Sequence, residues 1–235
     1  ATVDAAFKGR ILKLEELNEH LGDEEKQKLL QNYLTYFKIS ADLHHYVEEA
    51  LCDDLLLLRI FCEANKGKTL GQVNNIKREE LFAEYYELMA EKLIEKVRNE
   101  QHYQMEKSSI SAFMENMASY MISSNSFFNV PFGQLLKNIA KEEEDIFKRF
   151  LDENILLRKD LAPNAKGAFV HNEVVNFTYD SFRDYIISAY LSDNILPNNL
   201  AEYENLVEQY TSSGQQLREG LTPFLFVHAK NNKQK

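Results

Sequence analysis

Glycine and proline are scarce. Eight glycines and four prolines in 235 residues supply too few tight turns for a β-sandwich. Cysteine is scarcer still: Cys52 and Cys62 are the only two, and both fall in an apolar stretch with helical spacing. Ten residues along one helix span ~15 Å, too far for a disulfide, so both are expected as buried thiols in a reducing cytoplasm. No apolar run approaches the ~18 residues of a membrane helix. The opening ATVDAAFKGR lacks the apolar core of a signal peptide. Positive charge is in deficit, 27 Lys and Arg against 37 Asp and Glu for a net charge of −10. Such a chain is repelled by nucleic-acid phosphates unless it carries a local basic face.

Chemical motifs are missing as well. There is no GxxxxGK followed by Ser or Thr, no HExxH and no CxxC. Only Gly67 and Gly71 lie close together, which gives no phosphate cradle. His44 and His45 are adjacent, and adjacent helical side chains point ~100° apart and do not chelate. The run Glu142-Glu143-Glu144-Asp145 offers paired carboxylates in principle. Its simpler reading is a solvated, dipole-compatible helix start. No catalytic or metal-ligating residue is assigned, and the segment is not expected to be an enzyme.

What is present is hydrophobic material, 44% of residues with 11% aromatic, in mostly helical spacing. Residues 1–22 form a lead-in segment. Asp23-Glu24-Glu25 then opens a helix carrying Leu29, Leu30, Tyr33, Leu34 and Phe37. A second helix or helix pair is expected over about 41–64, with Leu43, Val47, Ala50 and Leu51 on one side. Its part from Leu55 to Phe61 is apolar nearly all round. Asn65-Lys66-Gly67 is a stop signal, and 66–76 is expected to be a loop. A long helix over about 77–100 places Leu81, Tyr85, Leu88, Met89 and Leu93 inward.

After the polar residues 101–107, Ser108 or Ser109 can cap a helix with Ile110, Phe113, Met114, Met117, Ala118 and Met121 facing in. Short helices follow near 131–140 and 141–153. The period then changes. NILLRKD reads as a strand, APNAKG as a turn and AFVHNEVVNFTY as the returning strand. Asp180 is the expected cap of a helix whose Phe182, Tyr185, Ile186, Ala189 and Tyr190 share one face. Three helices, a β-hairpin and a helix make the plan of a winged helix. The chain therefore divides into a helical domain over 23–100, a winged-helix domain over 101–191, and a helical extension and tail over 192–235. The expected class is mainly α: a helical bundle followed by a winged-helix domain with one small β-hairpin.

FTYDSFRDYIISAYL, at 177–191, resembles the winged-helix joint of STAND NTPases, the NACHT-type signalling ATPases. Their pattern is close to Phe-x-His-x-x-Phe-x-Glu/Asp-Tyr-x-x-Ala-x-x-Leu. CDDLLLLRIFCEAN resembles the helix that follows their nucleotide-binding core, ELFAEYYELMAEKLIEK the long helix after it, and FLDENILLRKD the strand entry of their winged domain. The resemblance covers about residues 25–191. It implies a P-loop ATPase core and a C-terminal sensor region in a parent protein, with ATP or ADP and Mg bound there and no cofactor in this segment. It also implies cytoplasmic signalling with oligomerisation on activation; bacterial members commonly act in antiphage defence. Two nucleotide-proximal positions carry over, Asp54 where the family places a proline and Tyr179 where it places a histidine. A phenol is neutral near pH 7 and donates one hydrogen bond, so Tyr179 would make the weaker phosphate contact.

The second class of function is a stand-alone winged-helix protein that binds nucleic acid or a protein partner. In that fold the third helix enters the major groove. Here that helix opens with four acids, and the wing tip offers only Lys159 and Lys166. Both features weigh against DNA.

Overall fold

A computed structural model describes residues 21–101, 105–138, 143–161, 172–212, 215 and 217–232. Residues 1–20 of the lead-in segment, the expected turn at 162–167 with Lys166, and the last three residues of the tail lie outside them. The chain is mainly helical and divides into two compact units, Ala1–Leu88 and Met89–Lys235.

In the first unit, helix α1 spans Asp23–Tyr36 and buries Leu30 and Leu34. The chain turns at Lys38, in the left-handed region at φ 57°, and enters strand β1, Ser40–Leu43. Helices α2 (His45–Asp53) and α3 (Leu55–Ala64) follow, and strand β2 (Thr69–Val73) returns parallel to β1. Cys52, in α2, and Cys62, in α3, are free and buried. Burial pushes the Cys62 thiol up to about 12, which leaves it an inert core group.

Two expectations are corrected here. The stretch expected as helix from Ala41 begins as a strand, and the expected loop over 66–76 contains that strand's partner. Four or five residues of mixed polarity carry almost no period-two signal, and the pairing that makes them strands joins segments about thirty residues apart. Of the two readings of this stretch, one helix or a pair, the structure has the pair, divided at Asp54, which is extended at φ −127° and ψ 93°.

Helix α4, Arg78–Gln101, carries the boundary between the units. Leu81, Tyr85, Met89 and Leu93 are buried as expected. Leu88 is not: it is 40% exposed, and Phe82, Ala90 and Val97 fill the inner stripe instead.

In the second unit, helix α5 (Lys107–Ser123) buries Ile110, Phe113, Met114, Met117, Ala118 and Met121. Its cap position is Glu106; Ser108 hydrogen-bonds Glu106 rather than capping. Strand β3 (Val130–Pro131), helix α6 (Phe132–Asn138), helix α7 (Glu144–Asp152) and the hairpin β4 (Leu156–Asp160) and β5 (Glu173–Phe177) follow. The sheet is antiparallel in the order β3-β5-β4.

A reciprocal amide clip fastens its short edge. Asn176 accepts from the Asn129 backbone at 2.7 Å and donates to the Asn129 side chain at 3.1 Å. On the other edge, Arg158 pairs with Glu173 at 2.6 Å and lies 4.0 Å from the Phe132 ring centroid. Phe113 meets Phe150 at 5.0 Å between centroids, joining α5 to α7.

Of the acidic run, Glu144 and Asp145 are exposed, but Glu143 is buried and accepts from Asn116 at 2.7 Å. A wholly solvated helix start is therefore wrong for that residue. Helix α8 spans Asp180–Tyr190 and continues into a π-helical turn, Leu191–Ile195. Helix α9 is Leu200–Thr211 and α10 is Arg218–Asn232. Pro223 sits inside α10, where the Thr222 hydroxyl donates to the Arg218 carbonyl at 2.5 Å. Asn231 and Asn232, expected in a solvated tail, end this helix.

Candidate functional site

Asp54 and Tyr179 belong to different units, and each has a local structural task. The Asp54 carboxylate accepts from the Leu57 backbone at 2.9 Å and so caps α3. Such a cap is worth about 1 kcal/mol. Its other oxygen lies 3.6 Å from the Arg78 guanidinium. The polar residue that interrupts the apolar stretch is thus what starts its second helix.

Tyr179 occupies the cap position of α8 without capping through its side chain. The residue is 8% exposed. Asp180, expected as the cap, is instead the first helical residue, and its carboxylate accepts from Arg183 at 2.8 Å.

The polar constellation the structure brings together is one the sequence reading did not single out. Arg183 and Asp184 are each 3% exposed, in the middle of α8. One Asp184 oxygen, Oδ1, accepts from Arg183 Nε at 2.9 Å and from Nη2 at 2.7 Å. The third guanidinium nitrogen reaches Asp180, and the guanidinium plane lies 4.1 Å from the Phe128 ring centroid. Burial pushes the Asp184 carboxyl up to about 6, against the pull of Arg183. A charged side chain this deep is retained only when paired and hydrogen-bonded.

Of the face expected to point inward, Phe182 and Ile186 are buried, but Tyr185, Ala189 and Tyr190 are half-exposed, and α8 buries Arg183, Asp184, Ile187 and Ser188 instead. The missed signal was two adjacent charges in a helix that is otherwise apolar or small on both sides.

A shallow cavity of about 290 Å³ lies beside this group, lined by Asn125, Ser126, Phe127, Phe128, Tyr210, Gln215 and Leu217. Phe127 meets Tyr210 edge-on at 4.8 Å. Burial raises the Tyr210 phenol, so it stays protonated and neutral near neutral pH.

No family model and no curated protein sequence matches the chain. Among the described residues, no cluster of three or more His, Cys, Asp or Glu could hold a metal ion, and no helix is long and apolar enough to cross a membrane. Titratable groups come together where Glu153 meets Lys92 at 2.7 Å and Lys96 at 2.6 Å and, more deeply buried, where Arg183 and Asp184 are tied to each other and to Asp180. The chemistry of the buried group is that of a structural joint, since the hydrogen bonds named for it are all made within α8.

Proposed function

We propose that this chain is the helical and winged-helix regulatory segment of a STAND-type, NACHT-like signalling ATPase. It carries no chemical step itself. It couples the nucleotide state of a P-loop core to a C-terminal sensor region and to oligomerisation, with antiphage defence as a role of such proteins in bacteria.

One observation carries the reading: the helix–strand–helix–helix–hairpin order from α5 to β5, with the sheet order β3-β5-β4, runs directly into α8 at the stretch that resembles the STAND joint. A winged helix needs a strand after its first helix to complete the sheet, and Val130–Pro131 supplies one. Two states of such a lever require different contacts with ADP-bound and ATP-bound cores. Those contacts are proposed to come from surfaces other than Tyr179. Tyr179 is only 8% exposed, so little of it is open to a nucleotide held by another domain. Tyr179→Phe is therefore expected to leave the rate of ADP release from the parent unchanged. Faster release would make the phenol a nucleotide contact after all.

The stand-alone, nucleic-acid-binding alternative is tested by fluorescence anisotropy with duplex DNA at low salt. A flat titration is expected, because the third helix presents exposed Glu144 and Asp145 at its start. Saturable, salt-sensitive binding would replace the regulatory reading with that alternative. A reading frame that encodes a phosphate loop ahead of Ala1 would support the regulatory reading; one without it would count against it.

A further inference from the structure

Helix α10 lies along α8, with Leu217, Leu221, Phe224 and Leu225 buried. Tyr185 of α8 meets Phe224 of α10 edge-on at 5.7 Å. In the first turn of α10, Gly220 stands against Asp184. A Cβ built there would lie 1.8 Å from Asp184 Oδ2 and 2.8 Å from its Cγ. The glycine thus permits a close approach: any larger residue would force the Asp184 carboxyl or the α10 backbone to shift. One oxygen of Asp184 is held by Arg183, and the other faces the α10 backbone at Gly220.

We propose that α10 is a proton-gated clasp on α8, seated over Asp184 through the gap that Gly220 leaves and held more firmly when that carboxyl is protonated. The cause is desolvation. Seating α10 takes water from the Oδ2 oxygen, which costs far more for a carboxylate than for a carboxylic acid.

The charges that act on Asp184 are Arg183, which favours the anion, and Asp180, which opposes it; both belong to α8. Among the residues whose burial the structure describes, the charged residues of the elements packed against α8 are exposed or half-exposed: Lys107 and Glu115 on α5, Glu173 on β5, Asp193 on the π-helical turn, and Arg218 and Glu219 on α10; the His228 and Lys230 side chains of α10 lie outside that description. Burial outweighs Arg183 and raises the group from 3.8 to about 6. A raised carboxyl contributes stability that is complete below its unfolded value and is lost as pH rises through the folded value. The window is therefore about pH 4 to 6.

The test is amide exchange at Leu221, Thr222, Phe224 and Leu225, corrected for intrinsic rates, on the whole chain. In the unmodified protein, protection of these amides should fall as pH rises from 4 to 7, by roughly a hundredfold at most for a two-unit shift. In Asp184→Asn it should stay level. Protection that does not change with pH, or that falls equally in Asp184→Asn, would overturn the gate.

Gly220→Ala should raise exchange by about tenfold or more at pH 7. The same change in an Asp184→Ala background should alter it by less than about twofold, because the obstructing carboxyl is gone. Equal effects in both backgrounds would overturn the close-approach contact. If Gly220→Ala does not fold alone, the pH series with Asp184→Asn still decides the proposal.

Discussion

Phe182→Ala is expected to destabilise the chain by about 3–5 kcal/mol, because it removes a whole ring from a site that cannot collapse around the loss. Phe182 is 1% exposed. Its ring meets Phe177 of β5 edge-on at 6.0 Å and stacks with Tyr185 at 6.3 Å, and Tyr185 in turn meets Phe224 of α10. The substitution therefore opens a cavity at the point where sheet, α8 and α10 converge. At roughly 2–4 °C per kcal/mol for a chain of this size, the melting temperature should fall by about 10 °C. Denaturant unfolding should show the lower midpoint with an unchanged slope. A midpoint within experimental error of the parent would place Phe182 outside the core and displace the register of α8.

That register was legible in the sequence, and the reason is physical. Helix α5 buries a long run of apolar residues at intervals of three and four, and α8 does so with Phe182 and Ile186 but not with Tyr185, Ala189 and Tyr190, which are half-exposed; each interval is a local fact about neighbouring positions. The hairpin was legible too, since Val175 and Phe177 alternate with polar Asn176 and Thr178. Strands β1, β2 and β3 were not legible. Each is stabilised by a partner far along the chain, and in β3 the two residues Val130 and Pro131 carry no pattern of their own. Leu88 illustrates the opposite failure: it sits at a helical interval from buried residues but on the edge of the stripe, so spacing alone placed it inside. Asp54 stands out in the sequence only as the position where the resembled family has a proline, and its use as the cap of α3 depends on backbone angles that residue type does not specify. For the joint at 177–191 the family pattern has an acidic residue where Asp184 stands. What it cannot convey is that Gly220, thirty-six positions later, leaves the room that acid requires.

Arg183→Ala should be as costly as the loss of Phe182, but with a pH dependence that the aromatic variant lacks. Removing one partner of a buried ion pair leaves an uncompensated charge and typically costs 3–5 kcal/mol. Here the guanidinium supplies two hydrogen bonds to Asp184, one to Asp180 and a stacking surface for Phe128. Lysine could not reproduce that fork, so Arg183→Lys should recover little. The stranded carboxylate has an escape, which is to take up a proton. Arg183 is the group that pulls its pKa down against burial, so without Arg183 the value rises further above about 6. The variant's deficit should accordingly be largest at pH 7 and above and shrink as pH falls toward 4, where Asp184 is neutral with or without its partner. Adding Asp184→Asn to Arg183→Ala removes the charge outright. It should return part of the stability at pH 7 and flatten the profile, measured by denaturant unfolding at fixed ionic strength. A deficit equal at pH 4.5 and pH 7.5 would mean that Arg183 acts through its contact with Phe128 and its own bulk. The buried carboxyl would then have no part in holding this joint together.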